Sequence, residues 1–257
     1  MTAAPLLEIQ GLRKEFGGLV AVAGVDFTVM AGQIKALIGP NGAGKTTIFN
    51  MISGVLAPSA GRVLFEGKPL PIARPHAVAG RGIARTFQLV RLFGDMTVLE
   101  NVLVGCHRRG LAGWLSCALR SRAMRREERR LRQRAWDVLG LVGLEARAGL
   151  PAAAVPYGEQ RLVEVARALA MGPRLLLLDE PGAGLNAAEQ ERLAALIERI
   201  RAAGTTVLLV DHHMDLVMDL SDEVLVLSYG QKLAEGPPAA VRRNPEVIAA
   251  YLGEEAA

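Results

Sequence analysis

The sequence predicts an α/β protein with a parallel-sheet core, an antiparallel β layer beside that core, and an inserted helical subdomain. Short β-branched or leucine-rich runs alternate with helical patterns over most of the chain, which is typical of a parallel sheet with crossover helices. Three early runs are joined by short turn-rich links instead of helices, which favours antiparallel pairing. The middle of the chain is almost wholly helical in pattern and contains no convincing strand.

The length of the chain fits one domain with an inserted lobe. Its 257 residues, 51% of them hydrophobic, can build one sizeable core, whereas two independent domains would be a tight fit. We therefore predict a core and β layer in residues 1–88 and 172–236, a helical subdomain in residues 89–171, and a C-terminal tail in residues 237–257.

The individual elements follow from apolar runs and their flanking residues. The predicted strands cover residues 6–9, 25–29, 34–38, 62–65, 175–178, 206–210 and 223–227. In the tail, Asn244 and Pro245 supply the cap and first turn of one short amphipathic helix.

The positive charge of the chain is concentrated in one segment. The formal net charge is +4, but residues 108–134 contain ten arginines and two glutamates, a local net charge of +8 that leaves −4 for the rest. This distribution argues against a nucleic-acid-binding protein with a basic main face, although one basic helix could still touch phosphates. The Arg/Glu alternation favours a solvated helix face with i,i+4 pairs. The alternative is a surface that lies under anionic headgroups or against the loops of a membrane partner.

We expect a cytosolic protein that does not itself span a membrane. No apolar run approaches the roughly 18 residues needed to cross a bilayer, and the start MTAAPLLEIQ lacks the pattern of a secretory signal. Cys106 and Cys117 are too few and too isolated for a disulfide framework or a zinc site, and they fit a reducing compartment. We interpret both as small buried or half-buried apolar residues.

A glycine-rich segment carries the strongest chemical signal. The run KALIGPNGAGKTTIFN has the spacing G-x-x-x-x-G-K-[ST], directly after an apolar strand and directly before an apolar helix. The glycines let backbone N–H groups turn inward, and the helix N-terminus adds its positive end, so the loop can cradle phosphate anions. An ordinary glycine-rich turn between strand and helix would show the same residues, but this context disfavours it.

This phosphate loop predicts a nucleotide with Mg²⁺. Lys45 would reach the outer phosphates, and the hydroxyl of Thr46 would ligate the metal ion. The predicted nucleotide-binding residues of the loop are Gly39, Pro40, Asn41, Gly42, Ala43, Gly44, Lys45, Thr46 and Thr47.

Two adjacent carboxylates end a second predicted strand. In RLLLLDEP, Asp179 and Glu180 follow the strand at the edge of a parallel sheet where ligands bind. Asp179 would hold hydrated Mg²⁺, and Glu180 would orient and deprotonate the attacking water. A plain surface turn before Pro181 is also possible, but the phosphate loop in the same chain favours the catalytic interpretation.

Two consecutive histidines follow a third strand, in TTVLLVDHHMD. We assign His212 to the γ-phosphate, which a histidine at the end of a neighbouring strand can sense. The pair could also suggest a metal site, but successive residues point in opposite directions along a strand and no third ligand is evident. We therefore interpret His213 as a capping or surface residue.

The order of these motifs resembles an ABC-type ATPase over essentially the whole chain. The phosphate loop is followed by Gln88 at the end of GIARTFQ, then by VPYGEQRLVEVARAL, LLLLDEP and His212. The resemblance implies a P-loop NTPase (RecA-like) core that binds ATP with Mg²⁺ and hydrolyses ATP.

The resemblance also implies roles for residues outside the phosphate loop. Tyr157, Gly158 and Glu159 would form the signature loop, which contacts the γ-phosphate held by a partner subunit. Gln88 would link Mg²⁺ and the attacking water to the helical lobe, and Phe16 would stack on adenine. Taken singly, Gln88 could be a polar strand end, Phe16 a core aromatic, and Tyr157 and Gly158 a plain helix start.

Two residues depart from the family pattern. Pro156 stands where the family usually has serine, so the hydroxyl that would bond the γ-phosphate is absent and the backbone amides must contribute more. Asn186 replaces the usual aspartate in AGLN, which puts in doubt any role there that needs negative charge.

A narrower resemblance rests on longer segments. RTFQLVRLFGDMTVLENVLVG, PYGEQR, DEPGAGLN and NPEVIAAYLG resemble the LivG-type ATP-binding subunits of branched-chain amino-acid importers. Related subunits serve urea, short amides and other polar amino acids, so these cargoes stay open. The shared motifs are also compatible with an exporter subunit, and the arginine run with a soluble ABC ATPase that acts on nucleic acid or ribosomes.

The resemblance implies an assembly at the cytoplasmic face of the inner membrane. The chain would form a homodimer, or a heterodimer with a related ATP-binding subunit, bound to two transmembrane permease subunits. A periplasmic binding protein would act with this assembly indirectly, and we expect no nucleic acid.

Overall fold

The computed structural model describes residues 4–106 and 122–255, which form two compact units. The first unit comprises Met1–Arg85, Arg174–Ala183 and Gln190–Ala257, and the second comprises Thr86–Pro173 and Gly184–Glu189. The second unit thus begins at Thr86, just before Gln88, and includes a short segment that follows the DEP motif in the sequence.

The first unit contains the sheets. The strands are β1 (Leu7–Phe16), β2 (Leu19–Val29), β3 (Ile34–Ile38), β4 (Ala60–Phe65), β5 (Lys68–Pro69), β6 (Ile83–Arg85), β7 (Leu175–Asp179), β8 (Thr206–Val210), β9 (Glu223–Ser228) and β10 (Gln231–Gly236). A six-stranded sheet has the order β10-β9-β3-β8-β7-β6, in which β10 pairs antiparallel with β9 and the other neighbours are parallel. A four-stranded antiparallel sheet has the order β2-β1-β4-β5. These two sheets confirm the predicted fold class.

The helices follow the strands in the expected alternation. They are α1 (Lys45–Ile52), α2 (Pro75–Gly80), α3 (Val98–Cys106), α4 (Arg122–Val142), α5 (Tyr157–Ala170), α6 (Ala187–Ala202), α7 (Met214–Leu220), α8 (Pro238–Arg242) and α9 (Pro245–Glu255). Two 3₁₀ turns, Glu145–Arg147 and Ala152–Ala154, separate α4 from α5. None of the described helices is long and apolar enough to span a bilayer.

The centre of the core is a set of completely buried strands. Every residue of β3, β7 and β8 is buried, as expected for parallel strands covered on both faces. Ile48, Phe49 and Ile52 of α1 join the same hydrophobic cluster as residues of both sheets. The loop between β3 and α1 is therefore held between two rigid elements.

Three strands of the structure are not predicted from the sequence. β5 and β6 have two and three residues, which is too short for a periodic signal, and β10 reads QKLAEG, a polar edge strand. The tail also forms two helices, α8 and α9, where the sequence predicts one, because Pro238 starts an additional short helix.

The basic segment is described only in part. Residues 107–121, with Cys117 and the first arginines, lie outside the described residues. On α4, the side chains of Arg125, Arg126, Arg129 and Arg130 are all exposed. Cys106 is completely buried, as predicted.

Candidate active site

The predicted catalytic groups follow three adjacent strands. β3, β8 and β7 are neighbours and run parallel, so the segments at their carboxyl ends lie along one edge of the sheet. Gly39 follows β3, His212 comes soon after β8, and Asp179 ends β7. This edge is where open α/β sheets bind ligands. The sheet order thus brings together the phosphate loop, the carboxylates and the histidine.

The phosphate loop needs glycine at two points of close approach. Gly39 has φ of 147°, and a Cβ placed there would lie 2.1 Å from the carbonyl oxygen of Leu227. Gly44 has φ of 100°, and its Cβ would lie 2.6 Å from the carbonyl oxygen of Ala21. Only glycine combines these backbone angles with this lack of space. A larger residue at either position would therefore distort the loop.

Lys45 lies inside the curve of the loop. Its ammonium group donates hydrogen bonds to the carbonyl oxygens of Gly39 and Pro40, the latter at 2.7 Å. Thr46 and Thr47 lie in the first turn of α1, where Thr46 is exposed and Thr47 is half-buried. Asn41 and Gly42 at the loop tip are exposed, whereas Ala43 is buried. The cation and the two hydroxyl groups thus stand at the positive end of α1.

Asp179 is held by an arginine for which the sequence predicts no role. Arg85, at the end of β6, donates from Nη2 to Oδ2 of Asp179 at 2.8 Å. Its Nη1 donates to Oδ1 of Asn50 at 2.8 Å and to the Ser53 hydroxyl at 2.9 Å. The guanidinium also lies 5.7 Å from the centre of the Phe49 ring. Arg85 thus ties the Asp179 carboxylate to α1.

Glu180 has an unusual backbone. Its φ is 47°, in the left-handed region that non-glycine residues rarely adopt, and its N–H donates to the carbonyl oxygen of Val210 at 2.8 Å. Such strain persists where surrounding structure enforces it, and it is found at active sites. Oε2 of Glu180 lies 3.9 Å from Nδ1 of His212, whose side chain is 61% exposed.

Asp211 organises the histidine pair. Its Oδ1 accepts hydrogen bonds from the N–H of His212, the N–H of His213 and Nδ1 of His213, at 2.8, 3.0 and 2.7 Å. Its Oδ2 accepts the N–H of Gly182 at 2.9 Å, in the loop after β7. A buried carboxylate with four donors fixes both loops.

The expectation that the two histidines point apart is wrong. Their ring centres lie 4.2 Å apart, because both residues follow the end of β8 and strand alternation does not apply there. Asp211 adds a third group, and the ligand atoms of the three lie within 4.8 Å of one another. His213 occupies the N-cap position of α7, but its ring bonds Asp211 instead of the helix. Because Asp211 already accepts four hydrogen bonds from the protein, we assign Asp211 and His213 a structural role instead of a metal site.

Phe16 lies at the end of β1 with 46% of its surface exposed, which excludes the interpretation as a core aromatic. The Lys14 ammonium lies 5.0 Å from the centre of the ring. An exposed ring with a cation beside it is a suitable platform for a base.

In the second unit, α5 begins at the predicted signature loop. Pro156 is the N-cap residue, and Tyr157 is 46% exposed in the first turn. A Cβ at Gly158 would lie 2.4 Å from Oε1 of Glu189, so a side chain there would displace that carboxylate. Glu159 accepts two hydrogen bonds from Arg147, at 3.0 and 3.3 Å.

Asn186 has a role within the chain that the AGLN motif does not predict. Its side-chain oxygen accepts the N–H of Glu189 at 3.0 Å, and Oε2 of Glu189 accepts the N–H of Asn186 at 2.9 Å. This reciprocal arrangement is a capping box at the start of α6. An amide oxygen performs this capping as well as a carboxylate does.

Gln88 is exposed, and its backbone is bound from α5. Arg161 donates to the carbonyl oxygens of Phe87 and Gln88, and Glu164 accepts the N–H of Phe87. Burial raises the pKa of the Glu164 carboxyl, while the Phe87 N–H and the Arg161 cation lower it by less. Burial lowers the pKa of the Arg167 guanidinium, and the negative charge of Glu164 partly counteracts this effect.

The residues present fit a nucleotide triphosphate with Mg²⁺. Gly39 and Gly44 allow the loop backbone angles that favour glycine, and Lys45 supplies a positive charge beside that loop. The hydroxyl of Thr46 and the carboxylate of Asp179 are hard oxygen donors of the kind that Mg²⁺ prefers.

Comparison with known proteins identifies the family. The family profile described as "ABC transporter" matches residues 22–183 of the chain. This chain belongs to the ABC transporter family. A second profile, "Branched-chain amino acid ATP-binding cassette transporter", matches residues 231–257. As a member of the family, this ABC protein is an ATP-hydrolysing subunit.

Curated relatives of this ABC ATPase match over nearly its whole length. The chain is 45% identical over 251 residues to the "High-affinity branched-chain amino acid transport ATP-binding protein BraF" of Pseudomonas aeruginosa, covering 97% of the chain and 98% of the relative. It is 44% identical to the protein named LivG in Escherichia coli, with the same coverage. Among solved structures, the ADP conformation of MJ1267, "an ATP-binding cassette of an ABC transporter", is 31% identical with a TM-score of 0.84, covering 98% of this chain and 100% of that one.

The sequence predicts no role for Arg161, Glu164 or Arg85, and only the first two could have been found from a sequence pattern. Arg161 and Glu164 share the α5 face with the buried Val165 and Ala168, so charged residues on an apolar helical stripe were a usable signal. Arg85 lies in a strand of three residues without a detectable pattern, and only the sheet order places it beside β7.

Proposed function

We propose that this ABC ATPase hydrolyses ATP to drive the import of branched-chain amino acids. The cargo is supported by the names of the relatives BraF and LivG, which refer to branched-chain amino acid transport, and by the family profile that matches residues 231–257. ATP hydrolysis rests on one structural observation: the phosphate loop, Glu180 and His212 follow three adjacent parallel strands.

The roles of the site residues follow from their chemistry. Backbone amides of residues 39–47 and the Lys45 ammonium bind the phosphates, and Phe16 stacks on adenine. The Thr46 hydroxyl, the Asp179 carboxylate and the Gln88 amide hold Mg²⁺, which when bound neutralises charge on the phosphates.

Glu180 is the general base of this proposal. Its carboxylate takes the proton of the attacking water, and His212, at 3.9 Å from it, donates toward the γ-phosphate. The left-handed backbone at Glu180 aims the side chain away from the direction a regular strand would give it.

The assembly is part of the same proposal. Two ATP-binding subunits, either two copies of this chain or this chain and a related one, bind two nucleotides, and Tyr157, Gly158 and Glu159 of each contact the nucleotide of the other. With Pro156 in place of serine, the N–H groups at the start of α5 supply this contact. Two permease subunits hold the dimer at the cytoplasmic face of the membrane, and a periplasmic binding protein delivers the cargo.

The function is tested by purification from the native host followed by reconstitution. We expect two permease subunits to co-purify with the chain, and ATP hydrolysis in proteoliposomes to rise when a leucine-loaded binding protein is added. Stimulation by urea or a short amide, with none by leucine, would replace the cargo. Co-purification of nucleic acid without permeases would contradict transport altogether.

A further inference from the structure

Side chains of α5 bind the backbone at Phe87 and Gln88. Residues 86–88 belong to neither a helix nor a strand. Nη1 of Arg161 donates to the carbonyl oxygen of Phe87 at 2.9 Å, and Nη2 donates to that of Gln88 at 2.9 Å. Oε1 of Glu164 accepts the N–H of Phe87 at 3.2 Å. Three backbone groups of two consecutive residues are thus bound by two side chains of α5.

The two α5 residues form a buried charged pair. Arg161 and Glu164 are each 1% exposed, and Nη1 of Arg161 lies 3.3 Å from Oε2 of Glu164. The Arg161 guanidinium also lies 5.9 Å from the centre of the Tyr157 ring. Burying a charged pair is costly, and well-packed apolar residues often stabilise a fold equally well. Helix packing therefore does not explain why this charged pair is buried. The planar guanidinium of Arg161, which binds two adjacent carbonyl oxygens, does explain it.

We propose that Arg161 and Glu164 are positioning residues that place Gln88 for the reaction. The Gln88 side chain is exposed, but its backbone is fixed to α5, the helix whose first turn holds Tyr157 and Gly158. A shift of the signature loop along or about the axis of α5 is therefore passed directly to Gln88. This inference rests on the proposed function, which gives the Gln88 amide its role at Mg²⁺ and the attacking water.

The proposal predicts a loss of kcat when the guanidinium of Arg161 is removed. Arg161→Lys keeps the positive charge beside Glu164 but cannot bind both carbonyls with a planar group. A reactive group displaced by about 1 Å can cost up to about 100-fold in rate. Because the proposed role of Gln88 lies at Mg²⁺ and the attacking water, while Phe16 and the phosphate loop bind the base and the phosphates, we expect kcat of the purified protein to fall at least tenfold while KM for ATP stays within about twofold.

A second readout reports on position without catalysis. In Arg161→Lys, hydrogen exchange at the Phe87 amide should accelerate relative to wild type, with and without nucleotide. The matched control is Arg134→Lys. Arg134 also donates to the α5 backbone, to Ala170 at 2.8 Å and Leu169 at 3.5 Å, but at the opposite end of that helix. This control should leave kcat and the exchange of the Phe87 amide unchanged.

A double-mutant cycle with Gln88→Ala separates positioning from general stability. If Arg161 acts through Gln88, Arg161→Lys should lower kcat in the wild-type background and have no further effect in the Gln88→Ala background. Independent losses that multiply would show that Arg161 acts elsewhere and would overturn the inference, as would unchanged kcat with accelerated exchange. If Arg161→Lys does not fold, the variant Arg161→Met/Glu164→Met removes both charges together and enters the same cycle. Absence of ATP hydrolysis in the wild-type protein would instead refute the proposed function.

Discussion

At the scale of single residues, Glu180 combines a strained backbone with the side chain that we propose as the general base. Its φ of 47° costs conformational energy, and the bond from its N–H to Val210 helps to maintain it. The Asp179 beside it is bound by Arg85 instead. Two adjacent carboxylates thus have different partners, which fits one metal-holding and one proton-accepting role.

The first prediction concerns the base. Glu180→Gln keeps the size of the side chain but cannot accept a proton, so we expect ATP binding to persist while kcat falls by about 10²- to 10⁴-fold. The variant should also trap a dimer with two nucleotides, measured by size-exclusion chromatography in ATP. Glu191→Gln, at an exposed position of α6, is the control and should retain activity. Hydrolysis at the wild-type rate in Glu180→Gln would remove this residue as the base.

At the scale of elements, helix starts and strand edges are stabilised by specific polar contacts. Asn186 and Glu189 cap α6, and Glu235 joins the edge strand β10 to Lys35 in the buried strand β3. The long apolar strands β3, β7 and β8 were predictable because burial on both faces requires continuous apolar runs. β6 and β10 were not, since their pairing depends on neighbours outside any local pattern.

The second prediction concerns the cap of α6. Asn186→Ala removes the acceptor for the N–H of Glu189, so we expect the free energy of unfolding to fall by about 1 kcal/mol. Asn186→Asp restores an acceptor and should keep wild-type stability. Chemical denaturation of the three proteins measures both changes, and equal stability of Asn186→Ala and wild type would contradict the capping role.

The third prediction concerns the pH dependence of β10. Burial raises the pKa of Glu235, but hydrogen bonds and attraction from Lys35 and Lys232 outweigh it, so the pKa lies below its ordinary value of 4.5. A lowered folded-state pKa stabilises the protein above the unfolded value, and this stabilisation is lost as pH falls through the folded value.

Glu235→Gln should therefore be less stable than wild type at neutral pH, and the difference should shrink as pH falls below about 4.5. Denaturant midpoints measured between about pH 3 and 7 give the comparison. Glu246→Gln, at an exposed site in α9, should match wild type throughout. A stability difference that did not vary with pH would show that the carboxylate charge is not responsible.

At the scale of the whole molecule, the site was easier to predict than its supports. The phosphate loop, Asp179, Glu180 and His212 occur in local motifs that chemistry makes recognisable. Arg85 and Asp211 occur within recognisable segments, but the local sequence does not reveal their roles, because their partners come from other strands and loops. The histidine arrangement was mispredicted for a related reason, since strand geometry was extended past the end of β8.

The fourth prediction uses ligand binding to the whole folded chain. A ligand that binds only the folded state raises the unfolding free energy, by about 2.7 kcal/mol at a concentration of about 100 Kd. ATP with Mg²⁺ should therefore raise the Tm of wild type and of the exposed control Lys68→Ala. Lys45→Ala should show little or no rise. An equal rise in Lys45→Ala would contradict the placement of this lysine at the phosphates.

The Asp211 carboxylate, which binds the loops after both β7 and β8, affects how mutational scans of this protein should be interpreted. Oδ2 of Asp211 accepts a hydrogen bond from Gly182, and Oδ1 accepts hydrogen bonds from His212 and His213. A change in one of the two loops will therefore affect the other. Replacement of Asp211 will lower activity as the loss of a catalytic group would, because both loops lose the hydrogen-bond acceptor that they share. A mutational screen that ranks positions by loss of ATP hydrolysis will therefore group Asp211, a buried structural residue, with the catalytic residues.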